Sequence, residues 1–467
     1  MWVGVCSVRV WGLIAAIGAA ALGGCTSVYN LPNNQPVTGT IQAQPLGSEV
    51  PLSSDDVMVS LAFSGGGTRA AAFSFGVLQE LDRTRIRDRG KNVSLLDRVD
   101  FVSGVSGGSV LAAYYGLRRR EALTDFRERF LLRNAEESLN TRVSIMNLGR
   151  AIGGGLNDAT HLPRWLDDNL FGGATFRDFQ RNQRPRIWIN ASDIYNRTPF
   201  VFGSVAFDAM CSDLMNYPIS EAVAASAAVP VVFAPIVLET FPGRCQTRLP
   251  DWIARARADR NTQPLLRDFA SAIESYHTGS LRYVKLLDGG LVDNFGLSGF
   301  SIALLSATRP YEPLMPAQAA RIRRIMFLIV DSGRGPSGNW GQELPGPTGV
   351  DLVMATADTA TEASTRASYT AFVSLMNDWV AKVRRWRCGL SAAERQRLGV
   401  GANWRCNDIN VFVERVGFDQ LDRPRADVLN AIPTRFQLPQ QSVDVLIEAG
   451  GEVVRNNPTY QAFRKGL

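Results

Sequence analysis

Histidine is nearly absent from this chain: His161 and His277 are its two copies in 467 residues. That scarcity leaves little for a histidine-rich metal centre, and it gives a Ser-His-Asp mechanism just two candidate bases. The six cysteines follow no zinc-ligand spacing. A net charge of +6 is carried without any dense basic run interleaved with aromatics, which argues against nucleic acid as a partner. Low-complexity tracts are missing too, so most of the chain is expected to fold. Long apolar runs are confined to the N-terminus. There, one basic residue, Arg9, precedes an apolar stretch reaching Leu22, shorter than the roughly 20 residues that span a bilayer comfortably.

That short run suits the core of a signal peptide over residues 1–24. Its end, Leu22-Gly23-Gly24-Cys25, resembles the lipobox of bacterial lipoproteins, in which the cysteine becomes the lipid-modified first residue. An ordinary cleaved secretory signal is the alternative. Residues 25–56 read as a polar tether rich in Pro, Asn and Gln. Thr26 is not the aspartate associated with inner-membrane retention, so the expected place is the outer membrane, facing the periplasm. With Cys6 removed and Cys25 lipidated, Cys211, Cys245, Cys388 and Cys406 remain. Pairing Cys211 with Cys245 and Cys388 with Cys406 closes the shortest of the possible loops, against the alternative of free buried cysteines.

Beyond the tether the pattern is strand, tight turn, helix, twice over. "VMVSLAF" runs into Gly65-Gly66-Gly67 and a helix carrying Phe73, Val77 and Leu81; "RVDFVSGV" runs into Ser106 and "GSVLAAYYGLRR". This predicts an α/β fold, three layers of α/β/α around a mostly parallel sheet. Further strands are expected at "RIWINASDI", "FVFGSVAF", "RYVKLLDGG", "RRIMFLIVDSG" and "INVFVERV", with a helix at "ISEAVAASAAVP" ended by Pro230. Residues 241–281 read as a polar, Arg-rich insertion, a solvated loop with one short helix, or else a lid. The catalytic core is placed at 57–335, and 336–467 are read as a mainly helical C-terminal elaboration packed on it.

In such sheets, functional groups collect at the carboxyl ends of the strands. Gly-x-Ser-x-Gly at Gly104–Gly108, between a strand and an immediate helix, has the form of a nucleophile elbow with Ser106 at its tip; a serine that merely caps the helix is the bland alternative. The glycine loop lacks a Gly-Lys-Ser/Thr ending and a full dinucleotide fingerprint, whereas successive backbone N–H groups at a helix start suit a developing oxyanion. Asp288 ends an apolar strand before Gly289 and Gly290. As a direct base it needs burial to lift its pKa above about 3.9. His161 and His277 read as surface residues but keep a Ser-His-Asp esterase open.

Taken in order, "GGGTR", "GVSGG", "ASAAVPVVFAP" and "DGGLVDN" resemble the patatin-like phospholipases over about Val57 to Phe300. The resemblance implies an acyl hydrolase with a Ser-Asp dyad: Ser106 as nucleophile, Asp288 as proton acceptor, the N–H groups of Gly65, Gly66 and Gly67 as oxyanion hole, and Arg69 bracing the loop. Ser64 and Ala70 depart from the aspartate and glycine the family often has there. The implied substrate is membrane phospholipid or another acyl-ester lipid, with no metal and no organic cofactor. An inactive envelope lipoprotein acting by binding is the other alternative.

Overall fold

Along the strand Val57–Phe63 (β1), Val59, Leu61 and Phe63 enter one apolar cluster while Ala62 enters another, so the strand has a helical layer on each face. The same split recurs in Arg324–Asp331 (β7): Met326, Leu328 and Val330 face one layer, and Ile325, Phe327 and Ile329 the other. This is the three-layer α/β/α architecture. The computed structural model describes residues 29–37, 39–41, 56–137, 157–335 and 340–467, apart from positions 89, 159, 183, 231, 343, 348 and 402. The signal-peptide and Cys25 readings lie outside the described residues. Among the described residues no helix is long and apolar enough to cross a membrane.

The remaining strands of the central sheet are Val99–Val105 (β2), Arg186–Asp193 (β3), Thr198–Val201 (β4), Ile236–Glu239 (β5), Tyr283–Asp288 (β6) and Asn410–Gly417 (β8). The sheet has eight strands in the order β8-β7-β1-β2-β3-β6-β5, with β4 also paired to β3. From β8 to β3 the neighbours are parallel, whereas β6 is antiparallel to β3 and β5. The mostly parallel expectation therefore holds, with a reversal on the side that carries Asp288.

The helices Gly67–Arg83 (α1) and Gly107–Arg118 (α2) follow β1 and β2 directly. Helix Ile219–Ser226 (α3) stops four residues before Pro230, because Ala227 already leaves helical geometry. In "FVFGSVAF" only the first part is strand; Ser204–Ala209 turns helical after Gly203. The insertion at 241–281 is not a solvated loop. It contains Asp251–Ala258 (α4) and Pro264–Thr278 (α5), which bury Trp252, Ile253, Phe269, Ile273 and Tyr276 in the core. Its arginines lie on the outer face, and that polarity masked a buried apolar stripe.

The C-terminal region is more than an elaboration. Strand β8 pairs with β7 along its whole length and forms the sheet's edge. The long helix Gly349–Cys388 (α6) covers one face through Phe372, Met376 and Trp379. Helix Gln440–Asn456 (α7) crosses α1 at glycines: a Cβ on Gly76 would lie 2.0 Å from the Ile447 carbonyl oxygen, and one on Gly450 2.0 Å from that of Phe73. Disulfides join Cys211 to Cys245 and Cys388 to Cys406. Part of the expected tether is also docked: residues 29–37 lie against the body, and Gly39–Ile41 pairs with Cys245–Thr247.

Candidate active site

Ser106 adopts φ 51° and ψ −124°, a left-handed conformation that side chains rarely take. Such strain costs about 1–3 kcal/mol and persists only where the surroundings impose it. Here they do. The Ser106 N–H donates to Ser226 Oγ at 2.8 Å, and Ser226 Oγ donates to the Asn190 carbonyl at 2.6 Å, so the last residue of α3 clamps the turn to β3. A Cβ on Gly107 would sit 1.9 Å from the Gly67 carbonyl oxygen, so only glycine lets the elbow and the glycine loop touch.

Contact between those turns brings the N-termini of α1 and α2 together beside Ser106, and both helix dipoles favour negative charge there. Gly66 (φ 139°) and Gly67 (φ 60°) hold conformations open to glycine. Their N–H groups meet no acceptor among the described residues. Gly65 differs from the expectation for all three: its N–H already donates to Asn294, to Oδ1 at 3.1 Å and to the carbonyl at 3.2 Å. The donors open to a ligand in this loop are Gly66 and Gly67.

Asp288 reaches the elbow from the opposite direction to the parallel strands. Val105 pairs with Asn190 of β3, and the next β3 residue, Ala191, pairs with Asp288. Register thus sets the carboxylate level with Ser106 even though β6 runs antiparallel. Its Oδ1 accepts from the Gly290 N–H at 2.8 Å, and its main chain is held by Ser192 Oγ and the Ala228 carbonyl. Burial pushes the Asp288 carboxyl up to about 6, against the pull of hydrogen bonds from the Gly290 N–H and the Ser106 side chain. Ser106 and Asp288 are only 4% and 8% exposed, so both work in a largely dry setting.

Arg69 is buried and donates to the carbonyls of Ser332 (3.0 Å) and Ile432 (2.8 Å), tying α1 to the end of β7 and to the C-terminal region. Burial lowers its guanidinium to about 9. Ser64 bonds to Ser332 through both hydroxyls at 3.0 Å, which gives this departure from the family pattern a partner of its own. The Thr68 N–H donates to the Arg435 carbonyl at 2.8 Å. Ser226 and Asn294 lie inside recognisable motifs but carry no chemical signature that assigns them a role. The carbonyls of Ile432 and Arg435 leave no sequence signal at all.

The histidines stand apart. His161 is exposed at the start of the helix His161–Leu166, and His277 lies near the end of α5 with its Nδ1 buried and without a partner among the described residues. Among the described residues neither bonds to Ser106 or Asp288. The constellation can supply a nucleophile, a proton acceptor and paired donors, as acyl transfer to water requires.

Comparison with known proteins agrees in kind. The patatin-like phospholipase model matches residues 61–300, slightly more than half of the chain. Among solved structures, human GIVD cytosolic phospholipase A2 is 14% identical, with 59% of this chain and 45% of that chain covered and a TM-score of 0.32. VipD from Legionella pneumophila is 11% identical over 93% of this chain and 72% of that one, also at 0.32. The chain thus spans about half the length of the human enzyme. No curated protein matches it. On the family match and the motifs it covers, this chain belongs to the patatin-like phospholipases, a family of lipid acyl hydrolases.

Proposed function

We propose that the protein is a lipid-anchored serine acyl hydrolase of the cell envelope that cleaves acyl esters of membrane phospholipid. Ser106 Oγ attacks the ester carbonyl while its proton passes to Asp288. The tetrahedral oxyanion is held by the N–H groups of Gly66 and Gly67 at the α1 N-terminus; each such donor contributes about 3 kcal/mol to the transition state. Collapse expels the alcohol, a lysophospholipid, which takes the proton from Asp288 and leaves an acyl-serine. Water then attacks, Asp288 receives its proton, and release of the fatty acid returns it to Ser106. Arg69, Asn294 and Ser226 are positioning residues that hold the loop and the elbow.

The observation that carries this reading is the strained Ser106 set by strand register beside the buried carboxyl of Asp288, whose pKa of about 6 suits a base near neutrality. Anchoring through Cys25, and location in the outer membrane, rest on the lipobox-like ending and on Thr26. The two disulfides agree with export to an oxidising compartment. The test is fatty-acid release from phospholipid vesicles by wild type and by His161→Ala and His277→Ala. Unchanged rates in both variants are expected; loss of hydrolysis in either folded variant would replace the dyad with a histidine-based triad.

A further inference from the structure

The segment just downstream of the proposed anchor is stapled to the body by asparagine side chains. Asn30 Nδ2 donates to the carbonyls of Ala234 (3.1 Å) and Pro235 (2.9 Å), immediately before β5. Asn34 grips the other end of that strand: its Nδ2 donates to the Glu239 carbonyl at 2.9 Å, and its Oδ1 accepts the Glu239 N–H at 2.8 Å. Asn33 is held between Tyr217 and Glu221, and Pro36 bridges to Ser212. The segment therefore runs along the free edge of the sheet, using side-chain amides where a further strand would use its backbone. It shields an edge strand that is otherwise open to pairing.

Register places the start of this strap on the catalytic side. Leu286 of β6, two residues short of Asp288, pairs with Ile236, the first residue of β5. Asn30 binds just before Ile236, whereas Asn34 binds at the far end of β5. Only four residues lie between Cys25 and Asn30, and the five steps from one to the other span at most about 18 Å. Tyr29 and Leu31, flanking Asn30, are 72% and 76% exposed and present apolar surface beside it.

We propose that Tyr29–Val37 is an orienting strap that turns the catalytic edge toward the bilayer carrying the Cys25 lipid, so that substrate is drawn from that same membrane. This rests on the anchored-hydrolase reading above. The occupant of the face beside Asn30, Tyr29 and Leu31 is a phospholipid surface, and the short chain between strap and anchor leaves the domain little freedom to turn away from it.

The test uses the full-length lipidated protein in phosphatidylethanolamine/phosphatidylglycerol vesicles, with labelled lipid either in its own vesicles or in added ones. Wild type should release fatty acid much faster from its own. Inserting 20 Gly/Ser residues between Ser27 and Val28 lengthens the path from Cys25 to Asn30 from five steps to 25 and should cut that rate about tenfold, following the −3/2 power of tether length. Asn30→Ala/Asn34→Ala should act in the same direction, and neither change should alter turnover of a soluble short-chain ester. An own-vesicle rate untouched by the insertion would overturn the strap. Absence of acyl label on Cys25 would overturn the anchor and the strap with it. Lack of soluble-ester turnover in wild type would instead remove the hydrolase reading.

Discussion

Replacing Asp288 with asparagine should make the protein more stable and nearly inactive at once. The side chain keeps its shape: an amide oxygen can still accept from the Gly290 N–H, and the NH2 can donate to Ser106 Oγ, so little repacking is required. What changes is charge. Burial raises the Asp288 carboxyl from 3.8 to about 6, equivalent to about 3 kcal/mol between its charged and neutral forms. A pKa raised on folding gives stability that is complete below 3.8 and lost as pH rises through about 6. At pH 8 wild type carries an ionised carboxylate in a dry site, and Asp288→Asn does not. Urea unfolding should therefore show the variant ahead by up to about 3 kcal/mol at pH 8, with the gap closing by pH 4. Ester hydrolysis should fall by about 10²- to 10⁴-fold, the usual range for a general base. In wild type, kcat/KM should decline below pH 6 as Asp288 takes up a proton. A variant that keeps wild-type turnover, or whose stability advantage does not grow between pH 4 and pH 8, refutes the reasoning.

Other perturbations probe the supports. Ser226→Ala removes the acceptor of the buried Ser106 N–H, and an unpaired buried group costs about 1–3 kcal/mol; kcat should drop about tenfold with KM little changed, read from steady-state kinetics on a soluble ester. Gly450→Ala puts a methyl 2.0 Å from the Phe73 carbonyl and should lower stability by about 3 kcal/mol in denaturant titration, showing that α7 belongs to the core. Opening the Cys388–Cys406 disulfide with paired serines, which frees an 18-residue separation, should cost about 3 kcal/mol in the same titration and leave fluorophosphonate reactivity intact.

How legible the fold was depended on whether a signal was local. Ser106, the glycine loop and Asp288 each sit at a strand end marked by glycines, and the apolar runs around them are unambiguous. The direction of β6 was not readable, because nothing in "YVKLLD" distinguishes a parallel from an antiparallel neighbour. The short helix expected in this insertion is α4, but its burial and the whole of α5 were hidden by arginines on their outer faces. The share of Gly65 in the oxyanion loop depended on Asn294, more than two hundred residues away, whose amide takes that N–H. The docking of Asn30 and Asn34 was invisible for the same reason: a Pro/Asn/Gln-rich stretch looks like free linker until the strand edge it covers is known.

The claim at the centre is that Ser106 is an activated nucleophile, and covalent trapping tests it most directly. Folded wild-type protein incubated with an alkyl fluorophosphonate should gain one adduct per chain by intact-mass spectrometry, mapped to the peptide containing Ser106 and absent in Ser106→Ala. A folded wild type that takes up no adduct, or takes it up at another residue, would contradict the account.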